Sequence, residues 1–277
     1  MKAKKLMQDS IRARFSAAAP TYERHAVIQR RVAGRLTTFL DDIPQPDTIL
    51  EAGCGSGLLT EMLMRVFPTA RIDALDISEG MINEARGRIP DQSRIRWIVG
   101  DVRNFQTAGQ YDLVVSSSSL HWAEPLIETL LSLRHSLAPK GILTAAIMLR
   151  GTLEELHSAR RIIAPHKAPS AQLMYFHDMA ETFKCAGFSI INRQEETYKA
   201  EYASAIEFLQ CIHDQGLTGG PVSRSGTPLS RQELAALIDE YDMRYALGGG
   251  GVHASYNVGY FKACANNRIR HACKSRC

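Results

Sequence analysis

No apolar stretch in the chain approaches the roughly 18 residues that a membrane-crossing helix needs, so no membrane span is expected. The start, Met1-Lys2-Ala3-Lys4-Lys5, is basic but lacks the continuous apolar segment of a secretion signal, and a cytoplasmic location is expected. Cysteines are few. Cys54, Cys185, Cys211, Cys264, Cys273 and Cys277 show none of the paired spacings of a zinc site. A reduced compartment leaves them as thiols, so neither disulfides nor a metal centre is expected. Charge of one sign is also scarce: 33 Lys and Arg against 29 Asp and Glu leave +4, too little to imply a nucleic-acid partner by itself. The basic concentration Arg268-Ile269-Arg270-His271-Ala272-Cys273-Lys274-Ser275-Arg276 sits at a terminus and reads as a solvated end. No internal repeat is present. At 277 residues, 45% hydrophobic and 22% charged, the chain has the composition of an ordinary globular enzyme with a sizeable core.

What is present is a glycine-rich turn. Glu51-Ala52-Gly53-Cys54-Gly55-Ser56-Gly57 follows the apolar run Thr48-Ile49-Leu50 and leads into a helical pattern. Glycines there allow positive φ and clear side chains from the path of a ligand, while an acid at the strand end accepts hydrogen bonds from a cation or hydroxyl. A second strand-like run, Arg71 to Leu75, ends in Asp76, close to the offset at which an acid meets a ribose. A third, Ile95 to Gly100, ends in Asp101-Val102, in position for an adenine amine. Each acid taken alone also suits a helix cap or a turn. Three at successive strand ends point to a nucleoside site.

This order of elements resembles the class I S-adenosylmethionine-dependent methyltransferases over residues 48 to 150. The resemblance implies a Rossmann-like α/β fold with a seven-stranded sheet, S-adenosylmethionine as cofactor, and Glu51, Gly53, Gly55, Gly57, Asp76, Ile77, Met81, Asp101, Val102, Ser117 and Trp122 as its contacts. A dinucleotide-binding dehydrogenase fits less well. Its third glycine enters the helix, whereas Gly57 comes too early and Leu58 stands where a small residue belongs; Glu51 would also oppose a pyrophosphate.

Helix-like periodicity at 27–40, 58–67, 79–89 and 124–137 separates strand runs at 48–52, 71–75, 95–99, 111–115 and 141–147, the alternation of a parallel sheet covered on both faces. Leu137-Ala138-Pro139-Lys140-Gly141 reads as a turn that stops a helix. Helix-like segments follow at 152–163, 178–186, 203–215 and 230–245, with strands at 188–198 and 252–262 completing the sheet as an antiparallel pair. Gly216 to Pro228 and Gly248 to Gly251 read as loops, the second as a flexible connection. The expected organisation is one methyltransferase domain: a helical lid at 1–45, a cofactor core at 46–150, substrate-side helices and final strands at 151–265, and a basic tail at 266–277.

Between strands four and five stands Ser116-Ser117-Ser118-Ser119-Leu120-His121-Trp122, where the fold positions the methyl acceptor. It lacks the Asn/Asp-Pro-Pro-aromatic element with which amino-methylating nucleic-acid enzymes of this fold grip an exocyclic amine. His121 is open to two readings, a general base or a packed wall residue, and Trp122 is read as walling the cofactor's apolar side.

Further stretches extend the resemblance to nearly the whole chain. They are Arg14 to Gln29, Leu149-Arg150-Gly151-Thr152-Leu153-Glu154-Glu155-Leu156-His157, Leu209 to Gly219, Leu229-Ser230-Arg231, and Ala254-Ser255-Tyr256-Asn257. Together they resemble the malonyl-acyl-carrier-protein O-methyltransferases of biotin synthesis. That resemblance implies methylation of the free carboxylate of a malonyl thioester, on acyl carrier protein or on coenzyme A. Such a carboxylate is ionised at pH 7 and needs no strong base. Tyr22, at the lid position, is expected to bond the cofactor's carboxylate end or the acceptor, or simply to pack. Arg150 is expected to steer the malonyl carboxylate or to pair with Glu154. Ser117 stands where many members have Asn, and Tyr256-Asn257 where an aromatic-His pair is usual. An acidic carrier protein would meet a basic face, for which Arg30, Arg31, Arg134, Arg160, Arg161 and Lys167 are candidates. A monomer without nucleic-acid or membrane partner is expected. Methylation of another small carboxylate or of a quinone-type ring is the alternative, and a non-catalytic cofactor-binding regulator the third reading.

Overall fold

The computed structural model describes residues 2–105, 107, 110–167, 173–218 and 228–265. The basic tail at 266–277 and most of the Gly216 to Pro228 loop lie outside the described residues. The chain divides into two compact units, a larger one of residues 29–147, 175–195 and 259–277 and a smaller one of 1–28, 148–174 and 196–258.

The sheet has seven strands: β1 (Thr48–Ala52), β2 (Arg71–Asp76), β3 (Ile95–Val99), β4 (Tyr111–Ser117), β5 (Leu137–Met148), β6 (Phe188–Tyr202) and β7 (Val252–Ala265), in the order β3-β2-β1-β4-β5-β7-β6. The five strands from β3 to β5 pair in parallel, and the registers Glu51↔Ala74 and Glu51↔Val115 put the carboxyl ends of β1, β2 and β4 side by side. In an open α/β sheet this is the ligand-binding end. β1 is apolar and buried because both its faces are covered, which makes the single acid in it, Glu51, conspicuous.

In the larger unit the helices are α2 (Val27–Thr37, from Gln29 on), α3 (Leu58–Val66), α4 (Glu79–Arg88), α5 (Leu126–Ser136) and α7 (Phe176–Cys185). Ser78 caps α4 by accepting from the Met81 amide at 3.2 Å. Ile49, Leu50, Leu63, Ile72, Leu75 and Leu113 are fully buried on and beside the sheet, and Phe183 of α7 stacks on Phe261 of β7 at 4.9 Å. The smaller unit holds α1 (Lys2–His25), α6 (Glu154–Ile163), α8 (Ala205–Asp214) and α9 (Arg231–Arg244), with a complete capping box of Ser230 and Glu233 opening α9.

Two expectations change. Leu137 to Gly141 is not a turn: β5 begins at Leu137 and the ladder to β4 slips between Tyr111 and Leu113. Lys140 takes φ 68°, and a Cβ on Gly141 would stand 2.9 Å from two carbonyl oxygens, so Pro-Lys-Gly forms an irregularity inside a strand. The run Gly248 to Gly251 is a hydrogen-bonded turn rather than a flexible connection. Leu247 donates to the Gly251 carbonyl and Gly250 to Leu247, both at 2.9 Å, and a Cβ at Gly251 would meet the Tyr202 carbonyl at 2.3 Å.

Candidate functional site

At the carboxyl end of β1 the chain turns sharply into α3. The Gly53 and Cys54 amides both donate to the Leu75 carbonyl, at 2.8 and 3.0 Å, which ties the turn to β2. Gly53 adopts φ 79°, and a Cβ there would overlap Ser119. Gly57 caps α3 in the left-handed region, where a Cβ would stand 3.1 Å from Ala85 of α4 and from Ile89, which caps that helix.

Asp76 organises the same turn. Its Oδ2 accepts from the Gly55 amide and its Oδ1 from the Ser78 amide, both at 2.8 Å. Burial still raises its pKa, against the pull of these amides. Glu51 is 1% exposed. Its Oε2 accepts from Thr60 Oγ1 at 2.6 Å, and among the described residues no Lys or Arg pairs with it. Burial first, and the charge of Asp76 after it, push the Glu51 pKa up to about 8, with only Thr60 opposing. Cys54 is raised for the same reasons and stays a thiol.

β4 delivers the serine run beside β1. Ser116 donates to the Ala52 carbonyl at 2.7 Å. Ser118 takes φ 53°, and Ser119 fills the space that the missing Gly53 side chain leaves. A 3-10 turn, Leu120–Trp122, then sets His121 and Trp122 with ring centroids 5.6 Å apart. Burial pushes the His121 pKa down to about 3, so its ring is neutral. The Oγ atoms of Ser117 and Ser118 and Nδ1 of His121 are buried without a hydrogen-bond partner among the described residues.

The Asp101 carboxylate is more engaged than the sequence suggests. It accepts from the Arg103 amide and Nε at 3.0 Å and from Nη2 at 2.6 Å, and Arg103 also donates to the Glu124 carbonyl. Val102 opens the 3-10 turn that Asp101 caps, Ile77 follows Asp76 directly, and Met81 is buried in the first turn of α4. Thr60 and Arg103 escaped the sequence reading, which placed Ser116 and Ser119 in the acceptor segment without giving either a role. Only the serine run carried a signal, because hydroxyls beside a glycine turn suit backbone contact.

Tyr22 and Arg150 belong to the smaller unit. Tyr22 is half-buried in α1 with its ring 6.5 Å from that of Phe15, edge to face. Glu154 bonds Arg161 and Ser158, not Arg150. The family-like segments of this unit interlock in two places. Arg14 donates to the Thr218 carbonyl at 2.6 Å, Thr21 to that of Asp214 at 3.0 Å, and Gln215 to that of His25 at 2.9 Å. Likewise Asn257 Nδ2 donates to the Arg150 carbonyl at 3.0 Å, and the Ser255 amide to Glu155 at 3.0 Å. Thr152 Oγ1 donates to the Asn257 carbonyl at 3.0 Å and accepts from its amide at 3.1 Å. Thr152 is 5% exposed, so Thr152→Val should cost about 1–3 kcal/mol by stranding both groups. Calorimetry should show a Tm about 3–10 °C lower, with Thr152→Ser close to the parent; an unchanged Tm for the valine variant would rule out this lock.

Of the basic residues considered for docking, Arg161 pairs with Glu154, Lys167 with Glu233 at 2.7 Å, and Arg134 donates to the Gly187 carbonyl. Among the described residues no group of three or more His, Cys, Asp or Glu could hold a metal ion.

A buried acid without a protein cation, three left-handed glycines and a carboxylate laced into the turn fit a nucleoside whose far end carries positive charge. Fold and site define a class I S-adenosylmethionine-dependent methyltransferase. Residues 49–141 match the methyltransferase domain family. The chain is 30% identical to malonyl-[acyl-carrier protein] O-methyltransferase 2 of Ilyobacter polytropus, over 84% of this chain and 89% of that one. It is 29% identical to the malonyl-[acyl-carrier protein] O-methyltransferase of Anoxybacillus flavithermus, over 92% and 95%. The chain belongs to the malonyl-[acyl-carrier protein] O-methyltransferase family. Solved structures share the fold at low identity. YcgJ of Bacillus subtilis aligns with TM-score 0.61 and 11% identity over 86% of this chain and 99% of that one. A phosphoethanolamine N-methyltransferase of Haemonchus contortus aligns with TM-score 0.52 and 17% identity over 84% and 52%.

Proposed function

We infer that the chain transfers a methyl group from S-adenosylmethionine to the free carboxylate of malonyl-acyl carrier protein, giving the methyl ester that enters biotin synthesis. The observation that carries this reading is the relatedness to malonyl-[acyl-carrier protein] O-methyltransferases along almost the full chain. When bound, S-adenosylmethionine supplies an electrophilic methyl on a sulfonium. Glu51 is proposed to receive the cationic amino-acid end, and the glycine turn to let it lie against backbone. Each Asp76 oxygen keeps a lone pair beyond its amide bond for the ribose hydroxyls. Ile77, Met81 and Val102 are proposed to line the adenine, Asp101 to accept from its amine, and Trp122 to wall the apolar side. Tyr22 is proposed to bond the cofactor's carboxylate end or the acceptor, and Arg150 to steer the malonyl group on its approach rather than to hold the attacking carboxylate; Tyr22→Phe and Arg150→Gln should each lower kcat/KM on malonyl-acyl carrier protein, and parental values would remove them from these roles.

No base is required, because the acceptor carboxylate, with a pKa of roughly 4, is already ionised at pH 7. This agrees with His121, which burial makes a poor proton acceptor. The chain is proposed to act as a monomer in the cytoplasm, with neither membrane nor nucleic acid as partner. No helix among the described residues is long and apolar enough to cross a membrane. The test is a ranking of kcat/KM across malonyl-acyl carrier protein, malonyl-coenzyme A, a succinyl thioester and a hydroquinone. Malonyl-acyl carrier protein should come first, and preference for the ring compound or the longer acid would replace the assignment.

A further inference from the structure

Within five residues at the end of β4, three buried polar atoms have no hydrogen-bond partner among the described residues: Ser117 Oγ, Ser118 Oγ and His121 Nδ1. Their neighbours are accounted for, since Ser116 bonds the Ala52 carbonyl and Ser119 packs against Gly53. Unsatisfied buried polar groups are uncommon in native folds, and a cluster of them marks a place where something else supplies the partners. His121 is 8% exposed. Ser118 is also held at φ 53°, a conformation that a serine adopts only when its surroundings impose it and that gathers at ligand sites.

We propose that Ser117, Ser118 and His121 form a cradle of neutral hydrogen-bond donors for the acceptor's free carboxylate. The proposal rests on the carboxyl-methylation reading above. It assigns Ser117 to the acceptor rather than to the cofactor, makes His121 a donor rather than a base, and adds Ser118. Two hydroxyls and a neutral imidazole offer three donors, and a carboxylate offers about four acceptor sites. The ring is neutral because burial holds its pKa near 3, so no full positive charge stands in this segment.

Neutrality suits the chemistry. The O–CH3 bond forms as the S–CH3 bond breaks with its electron pair left on sulfur, and no proton moves. The carboxylate therefore loses its negative charge on the way to the transition state. A guanidinium clamped on the attacking group would stabilise the starting anion more than the transition state and slow the step, whereas neutral donors orient it with less of that penalty. A cradle of this kind also selects for acceptors that carry a free carboxylate.

The cofactor's own amino-acid carboxylate is the other group of the same chemistry, and the experiment separates the two. Ser117→Ala/Ser118→Ala, His121→Phe and His121→Asn are compared with the parent protein. The asparagine keeps an N–H donor near the place of Nδ1. Three quantities are read: the Kd of S-adenosylhomocysteine by calorimetry, the Kd of malonyl- and acetyl-coenzyme A in its presence, and kcat/KM on malonyl-acyl carrier protein. The double alanine and phenylalanine variants should lose about 10- to 100-fold in malonyl affinity and in kcat/KM, the range of a hydrogen bond to a charged group. Acetyl-coenzyme A and S-adenosylhomocysteine affinities should stay within about threefold, with His121→Asn recovering most of the loss. An equal fall in S-adenosylhomocysteine affinity would assign the cradle to the cofactor and overturn the proposal. Unchanged malonyl affinity in every variant would also overturn it, since water would then satisfy these atoms. Failure of the parent protein to bind or methylate malonyl thioesters would instead defeat the carboxyl-methylation reading.

Discussion

Gly53→Ala should abolish tight cofactor binding and lower the Tm by about 5–15 °C. A Cβ at this position would lie 1.8 Å from Ser119 Oγ and 2.4 Å from Ser119 Cβ. The hydroxyl can rotate away, but the Cβ moves only with the backbone of the serine run, which is pinned to β1 through Ser116 and the Ala52 carbonyl. Overpacking of this kind costs about 1–3 kcal/mol, and forcing alanine to φ 79° adds about 1–2 kcal/mol. The displacement falls on the turn proposed to carry the cofactor and on the segment proposed to meet the acceptor, so binding of S-adenosylhomocysteine should weaken at least ~100-fold, about 2.7 kcal/mol. Gly53→Ala/Ser119→Gly removes the clash and leaves the backbone cost. That pair should regain more than half of the lost Tm. A Gly53→Ala protein with parental Tm and affinity would show that the turn and the serine run are not in contact.

Glu51→Gln should separate binding from stability. The change keeps size and an acceptor for Thr60 but removes the charge that would meet the cofactor's ammonium. Losing one member of a buried ion pair costs about 3–5 kcal/mol, so affinity for S-adenosylhomocysteine should fall by about a hundredfold or more. Stability should move the other way. The folded-state pKa of about 8 stands above the ordinary 4.5, so the folded protein holds the extra proton between those values. The favourable contribution of Glu51 is complete below about pH 4.5 and is lost as the pH rises to 8. Relative to the parent, the glutamine variant should therefore gain ~2–4 kcal/mol between pH 5 and 8, somewhat less than the full shift implies at 1.36 kcal/mol per unit. Ligand binding reads the same proton. Parental affinity should climb by up to tenfold per pH unit from about pH 6 toward 8, while the glutamine variant stays flat. Equal pH slopes in the two proteins would remove Glu51 from cation binding.

The features legible in the sequence were those set by local pattern. The Glu51 to Gly57 turn, the strand ends at Asp76 and Asp101 and the alternation of helix and strand follow from periodicity and from glycine and acid placement. Each occupies the expected element. What escaped depends on partners far along the chain. Pro139-Lys140-Gly141 has turn composition, yet pairing with β4 holds it in a strand as an irregularity. Gly248 to Gly251 looks like slack, yet Gly251 must be glycine because the Tyr202 carbonyl approaches it. The interlock of Arg14 with Thr218 joins residues 204 positions apart. Such contacts leave no periodic trace, and only the resemblance to a family marked those segments out together. In the site, the sequence placed the serine run but not its division of labour: one hydroxyl bonds β1, one packs on Gly53, and two find no partner among the described residues.

The most direct test of the central claim uses methyl-labelled S-adenosylmethionine with malonyl-acyl carrier protein, and acetyl-acyl carrier protein as the acceptor without a free carboxylate. Label is expected on the malonyl species alone, released by mild base as a methyl ester releases it. Label on both carriers, or base-stable label, would contradict carboxyl methylation, and no transfer despite measurable cofactor binding would discard the malonyl acceptor while leaving the methyltransferase fold intact.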